Sequence, residues 1–143
     1  MHGVQAEVLC PVIVFLTACT RNRSRWLASN EVHLLLHELW VGSDAWLVGD
    51  YVLMPDHLHL FAAPNPTKCV ELENWVRYWK SQFTKRHGNA THRWQTDHWD
   101  RRVRKEENYL EKWEYVRNNP VRHKLVTKPE DWPYQGKIHQ LVW

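Results

Sequence analysis

The order of apolar and polar residues along the chain predicts its strands. Residues 11–18 are continuously apolar and rich in β-branched side chains, which predicts a strand buried on both faces. Residues 45–54 and 57–63 predict two further strands, and Pro55-Asp56 between them predicts a tight turn that joins them into a hairpin. A shorter strand is predicted near residues 98–104.

Apolar residues at spacings of three and four predict three amphipathic helices. The first is capped by Ser29 or Asn30 and ends at Gly42. The second spans roughly residues 71–87, and the third runs from about residue 105 to 118. The order β-α-β-β-α-β-α favours an α+β fold, with the helices packed on one face of a mainly antiparallel sheet.

The length and composition indicate a single domain. We predict that it extends over residues 1–143, with a short C-terminal tail from about residue 127. The longest apolar run is too short to span a bilayer, and no basic segment precedes it as in a signal peptide. The three cysteines fit neither a disulfide framework nor a CxxC metal site. We therefore expect a cytoplasmic protein with reduced thiols and no membrane partner.

Two histidines stand one residue apart in the predicted strand "HLHLFAA". Side chains alternate along a strand, so His57 and His59 project to one face while Leu58 and Leu60 project to the other. Two imidazoles on one face can bind one metal ion, or each can be a structural histidine with a hydrogen-bond partner. Zinc hydrolases, oxygenases and nucleases all use the His-x-His spacing, so the pair alone does not select a reaction.

One tyrosine of the third helix lies away from the predicted core. At about 100° per residue, Tyr115 falls roughly 150° from the centre of the apolar stripe. Its hydroxyl therefore faces either a cleft or solvent. Asn119 follows one helical turn later, so both side chains can address a common site. The apolar stripe itself comprises Tyr109, Leu110, Trp113 and Val116.

Positive charge is concentrated in residues 76–105. This segment holds nine Lys and Arg residues against two aspartates, a net charge of +7 in a chain whose total is +3. Such an asymmetry indicates either a surface for a polyanion or an ordinary solvated face. Bases can stack on tryptophan, and the candidate platforms are Trp75, Trp79, Trp94 and Trp99, although the first two lie on a helix stripe that favours core packing.

Two motifs in order resemble a known family. "YVLMPDHLHLFAA", followed about fifty residues later by "KWEYVRNNPVRHKLV" and "KPEDWP", resembles the REP-associated tyrosine transposases. These belong to the single-tyrosine group of HUH (His-hydrophobic-His) nucleases. The resemblance implies a ferredoxin-like α+β fold with the histidine pair on a central strand. It also implies that His57 and His59 bind a metal ion, that Tyr115 is the nucleophile and that Asn119 supplies a further ligand.

The resemblance further implies a reaction and a partner. The expected ion is Mg²⁺ or Mn²⁺, and the expected reaction cleaves and rejoins single-stranded DNA through a 5′-phosphotyrosine, without ATP. The DNA would lie next to a hairpin, and the protein would act as a monomer or a homodimer. The candidate DNA contacts are Arg77, Lys80, Arg101, Arg102, Arg104 and Lys105.

Two other functions remain open at this stage. The chain could be a binding module for hairpin nucleic acid that keeps the histidines without using them in catalysis. It could instead be a metal-dependent hydrolase that acts through activated water, with Tyr115 incidental. Only the transposase reaction traps the protein covalently on DNA, so attachment discriminates it from both.

Overall fold

Five strands form one antiparallel sheet in the computed structural model, which describes residues 12–142. The strand order is β4-β1-β3-β2-β5, so β3 with its two histidines lies at the centre. The predicted hairpin is confirmed, because β2 and β3 pair directly and the Met54 N–H donates to the His57 carbonyl at 2.7 Å. Residue 11 of the predicted first strand lies outside the described residues. The strands are β1 (Ile13–Cys19), β2 (Trp46–Leu53), β3 (His57–Pro64), β4 (Trp99–Val103) and β5 (Gln135–Lys137).

The three predicted helices are confirmed, with their ends within one or two residues of the predicted positions. Ser29 caps the first, and its Oγ accepts a hydrogen bond from the Val32 N–H at 3.2 Å. The third helix ends before Pro120, which opens a further short helix. The helices are α1 (Asn30–Gly42), α2 (Leu72–His87), α3 (Glu106–Arg117) and α4 (Asn119–Arg122).

The larger core lies between one face of the sheet and the helices α1 and α2. Leu58 and Leu60 of β3 point into it, opposite to the histidines. Trp75 and Trp79 are fully buried there, as their place on the stripe of α2 predicted. Trp94 is also buried in this core, so it is not available as a stacking platform.

The helix α3 packs on the opposite face of the sheet, beside the histidines. Tyr109 contacts Phe61 of β3 with ring centroids 4.1 Å apart, and Trp113 lies against the same phenyl ring. The α+β fold class with its antiparallel sheet is confirmed, but the helices occupy both faces rather than one. The reason is the strand alternation itself, since β3 presents Phe61 and both histidines on the side that α1 and α2 leave uncovered.

One predicted core residue of α3 is exposed. Leu110 belongs to the predicted apolar stripe, yet 57% of it is accessible to solvent. The buried side of α3 follows Tyr109, Trp113 and Val116, which lie at positions i, i+4 and i+7. Leu110 is one residue, or about 100°, from this line and faces outward.

The C-terminal segment is part of the sheet rather than a separate tail. Residues 135–137 form β5, which pairs with β2 over three residue pairs. Trp132 is buried, and its indole Nε1–H donates to the Leu53 carbonyl at 2.9 Å. The sequence analysis missed β5 because three residues are too few to produce a periodic pattern.

None of the helices within residues 12–142 is long and apolar enough to cross a membrane. Cys19 and Cys69 are free thiols, and Cys10 lies outside the described residues.

Candidate active site and nucleic-acid interface

His57 and His59 face the same side of the central strand and lie close together. Their ring centroids are 4.9 Å apart and the rings are nearly perpendicular, at 79°. In the antiparallel register, Cys19 of β1 lies opposite His57 and Thr17 lies opposite His59. The adjacent strand therefore determines which groups can contact each imidazole.

Asp56 holds His57 through the Nδ1 atom. The distance from His57 Nδ1 to Asp56 Oδ1 is 2.8 Å, so the ring donates this proton to the carboxylate. The other oxygen of Asp56 accepts from the Arg23 Nε–H at 3.0 Å. A ring whose Nδ1–H is given to a carboxylate presents an unprotonated Nε2, which is the arrangement common among metal-binding histidines.

Thr17 and Phe15 of β1 position His59. The Thr17 hydroxyl is hydrogen-bonded to His59 Nδ1 at 2.9 Å. The Phe15 ring stacks on the imidazole with centroids 5.1 Å apart and an interplanar angle of 16°. The Nε2 atom of each histidine is left without a hydrogen bond to any side chain in residues 12–142, so both Nε2 atoms remain free for a ligand.

Burial keeps both imidazoles neutral. It lowers the pKa of His57, although the neighbouring Asp56 carboxylate opposes the shift. Burial also lowers the pKa of His59 to about 3, with further lowering by the charges of His57, Lys112 and Arg122. Desolvation raises the pKa of Asp56, but the hydrogen bonds from His57 and Arg23 outweigh it and hold the pKa below its usual value. A neutral imidazole is the form that binds a metal ion.

Tyr115 is exposed, and Arg122 covers one face of its ring. The side chain is 65% accessible, so the expectation that it lies away from the core is confirmed. The guanidinium carbon of Arg122 lies 3.7 Å from the centroid of the phenol ring. This cation–π contact restricts the rotation of the phenol ring.

Asn119 is buried beside this pair and holds the arginine. Its Oδ1 accepts a hydrogen bond from Arg122 Nη2, and only 7% of the residue is accessible. The predicted role of Asn119 as a metal ligand stays a prediction. The amide oxygen that a hard cation prefers already accepts one hydrogen bond, so it has a single lone pair left.

Lys112 of α3 and Arg122 of α4 place positive charge near the histidines. Lys112 Nζ lies 4.9 Å from the centroid of the Phe15 ring, which itself stacks on His59. Lys112 and Arg122 both lie near enough to lower the pKa of His59. The described residues contain no group of three or more His, Cys, Asp and Glu side chains able to hold a metal ion. The positive charges of Lys112 and Arg122 suit a phosphate, and the two imidazoles provide two nitrogen donors for an ion bound beside it.

A groove of about 410 Å³ runs between β4 and α3 and reaches Tyr115. It brings the predicted contacts Arg101, Arg102 and Arg104 to the same surface as the tyrosine, whereas Lys105 is exposed at the start of α3 outside the groove lining. The cationic side chains outnumber the single carboxylate of this lining. The full lining is Arg101, Arg102, Val103, Arg104, Asn108, Glu111, Lys112 and Tyr115.

A second groove of about 980 Å³ lies between α2 and the segment that leads into β4. Arg77 lines it and is exposed, as predicted. Lys80, a predicted DNA contact, does not point into solvent. It is 9% accessible, and its Nζ donates to the carbonyls of Gln95 and Asp97 at 2.9 and 3.2 Å. Burial lowers its pKa to about 8. Lys80 thus holds this segment against α2, and its placement does not support a DNA contact.

Several residues of the site were missed in the sequence analysis. Asp56 and Arg122 stand inside the two quoted motifs, so the sequence held a signal for them: a carboxylate beside a histidine pair and a cation seven residues after a tyrosine. Thr17 and Arg23 carry no such signal. They reach the histidines only through the pairing of β1 with β3 and the turn that follows β1.

Comparisons with known proteins agree with this geometry. No protein-family model matches the chain. A REP-associated tyrosine transposase of Escherichia coli (strain K12) is 29% identical over 122 residues, covering 84% of this chain and 73% of that protein. A Haemophilus influenzae protein named for the same family is 28% identical over 97 residues, covering 59% of this chain and 54% of that protein. A solved structure of a REP-associated tyrosine transposase bound to a REP hairpin matches with a TM-score of 0.73 and 25% identity, covering 87% of this chain and 75% of that chain.

In sequence and in fold the chain is similar to transposases, a class of DNA-processing enzymes. The matches of higher coverage are to REP-associated tyrosine transposases, so the resemblance predicted from the two motifs is confirmed.

Proposed function

We propose that this protein cleaves and rejoins single-stranded DNA beside a hairpin, with Tyr115 as the nucleophile. One observation carries the proposal: an exposed tyrosine lines the basic groove between β4 and α3. Lys112 of the same groove lies near enough to His59 to lower its pKa. A groove lined by arginines suits the phosphates of a strand. Arg122 connects the tyrosine with the histidines, because it covers the Tyr115 ring and lies near enough to His59 to lower its pKa.

The reaction exchanges one phosphoester for another. The Tyr115 hydroxyl oxygen bonds to phosphorus as the bond to the 3′-oxygen breaks. The phenolic proton is lost, and the departing oxygen gains a proton to become a free 3′-OH. A second 3′-OH can later attack the phosphotyrosine and restore a phosphodiester, so no external energy source is needed.

Arg122 and Lys112 are the cations that prepare this step. Arg122 stacks on the Tyr115 ring and restricts its rotation, which holds the hydroxyl oxygen in position for attack. Lys112, in the groove, contributes positive charge near the phosphate that is attacked. Asn119 accepts a hydrogen bond from Arg122 and so fixes the position of its guanidinium group.

His57 and His59 would hold a divalent ion, Mg²⁺ or Mn²⁺, through their free Nε2 atoms. When bound, such an ion supplies Lewis-acid stabilisation of charge on the phosphate oxygens. Imidazole donors are more typical for Mn²⁺ than for Mg²⁺, so we expect Mn²⁺ to support the reaction at lower concentration.

The hairpin partner is proposed from the solved relative, which is bound to a REP hairpin. The arginines of β4 would contact phosphates of the adjoining single strand, with affinity that falls as salt rises. The oligomeric state, monomer or homodimer, and the cytoplasmic location stay predictions.

Covalent attachment tests the proposed function. DNA labelled at its 3′ end, with a stem-loop and single-stranded flanks, is incubated with the protein and Mn²⁺ or Mg²⁺ and then denatured. We expect label to migrate with the protein only when the ion is present. DNA without a stem-loop serves as the control. Tight binding without attachment supports a binding module instead, and cleavage without attachment supports the hydrolase.

Changing Asp56 to asparagine is expected to reduce attachment by about 10- to 100-fold at low Mn²⁺ concentration. The amide no longer provides a full negative charge for the His57 Nδ1–H, so the imidazole is a weaker ligand. Raising the Mn²⁺ concentration should restore most of the rate, which a purely structural defect would not allow. Asp131→Asn, at an exposed aspartate, is the matched control.

Replacing Arg101 and Arg102 together by glutamine is expected to reduce the salt dependence of binding to single-stranded DNA. Each lost phosphate contact lowers the slope of log affinity against log salt by roughly 0.7. Fluorescence anisotropy at several salt concentrations measures the slope. Lys137→Gln is the control, because Lys137 lies on β5 at the opposite edge of the sheet. An unchanged slope would place the DNA path elsewhere.

A further inference from the structure

We propose that Trp99 forms a stacking subsite for a base of the single strand, close to the phosphate that would contact an ion held by His57 and His59. The subsite rests on the proposed function, because it assigns a position in the substrate of that same site. Its ligand class is a nucleobase without regard to identity, since every base offers a π face to an indole.

Trp99 differs from the other tryptophans in its exposure. It is 56% accessible, whereas every other tryptophan within residues 12–142 is buried or partly buried. Trp99 lies on the edge strand β4 and exposes a large apolar ring to water. Stacking with a base would bury that ring, so the exposure is consistent with a ligand rather than with a role in the core.

The strand register places Trp99 in line with the histidine site. Thr17 of β1 lies opposite His59 on one side and opposite Trp99 on the other. Residues directly opposite in antiparallel strands share a face, so the three side chains form one row on the side of the sheet that carries the histidines. Two strand spacings separate the ends of this row, a distance of roughly 10 Å between Cα atoms.

The neighbours of Trp99 provide the charge that a nucleic-acid strand needs. Arg101 follows on the same face of β4 and lines the groove that ends at Tyr115. Trp99 itself lines the larger groove, together with the exposed Arg21, Arg77 and Arg93. Trp99 thus lines one groove, and Arg101, two residues along β4, lines the other. An aromatic platform with cations along the path is the usual design for binding single strands.

Changing Trp99 to alanine tests the subsite with two DNA probes. One is a stem-loop with a single-stranded oligothymidine extension, and the other is the same stem-loop without it. We expect binding of the extended probe to weaken by about 5- to 150-fold, and binding of the blunt probe to stay within about twofold. Trp99→Phe, which keeps an aromatic ring, should recover most of the affinity. Tyr78→Ala is the matched control, because Tyr78 is similarly exposed on α2 but lines neither groove.

A fluorescent base locates the contact. With 2-aminopurine placed at successive positions of the extension, the wild-type protein should quench one position most strongly, and Trp99→Ala should remove that quenching. Equal weakening for both probes would overturn the proposal, because it would indicate a general loss of structure. Unchanged affinity and quenching would overturn it as well, because the indole then contacts no base.

The subsite and the reaction can fail separately. If the wild-type protein forms no covalent adduct but quenches 2-aminopurine through Trp99, the proposed reaction is wrong and the subsite stands. If adducts form and Trp99→Ala leaves affinity and quenching unchanged, the reaction stands and the subsite is wrong.

Discussion

Tyr115→Phe is expected to abolish covalent attachment to DNA, with a loss of more than about 1,000-fold in rate. The substitution removes only the oxygen that would bond to phosphorus and keeps the ring that Arg122 covers. Because Tyr115 is largely exposed, the free energy of unfolding should change by less than about 0.5 kcal/mol. Affinity for the hairpin DNA should also remain close to that of the wild type.

Three measurements on the same preparation make this result interpretable. Adduct formation is followed on a denaturing gel, DNA affinity by anisotropy and stability by urea unfolding. Tyr78→Phe is the control, since it removes a hydroxyl from an exposed tyrosine on α2. Adducts that persist in Tyr115→Phe would mean that another side chain is the nucleophile.

His59→Gln is expected to reduce metal-dependent attachment by more than about 100-fold, since even outer-shell changes at metal sites typically cost 10- to 100-fold. The amide retains polarity opposite Thr17 but lacks the imidazole Nε2. DNA affinity measured without divalent ions should be nearly unchanged, because this residue is neutral in the wild type. His57→Gln should behave in the same way.

Removal of the ion gives an independent test of the same histidines. EDTA should stop attachment by the wild type, and added Mn²⁺ should restore it. His139→Gln, at a histidine near the opposite edge of the sheet, should respond to EDTA and Mn²⁺ as the wild type does. An equal rate for wild type and His59→Gln at every Mn²⁺ concentration would exclude the histidine pair as the ion's ligands.

The sequence predicted most of the fold because periodic patterns and turn residues determine it locally. The helix caps, the Pro55-Asp56 turn and the shared face of the two histidines follow from spacing alone. The position of α3 could not be predicted in this way. Which face of a sheet a helix covers depends on packing between distant residues, here Tyr109 and Phe61.

The site was less predictable than the fold, and Lys80 shows why. By helical spacing it lies near the edge of the stripe of α2, where a lysine ordinarily reaches solvent. Two backbone carbonyls of the segment before β4 accept hydrogen bonds from its ammonium group instead. A backbone acceptor cannot be recognised from the pattern of side chains. Arg122 stands within a quoted motif, but its contact with the Tyr115 ring depends on how α4 follows α3 and is seen only in the structure.

The two faces of the sheet have different consequences for the evolution of this protein. The residues of α1 and α2 and the leucines of β3 make the larger core, while the histidines and the arginines of β4 lie outside it. Substitutions among exposed residues such as Arg101 and Trp99 would therefore alter the proposed affinity for DNA at little cost in folding free energy. The proposed DNA contacts can thus change from one relative to another without first destabilising the folded protein.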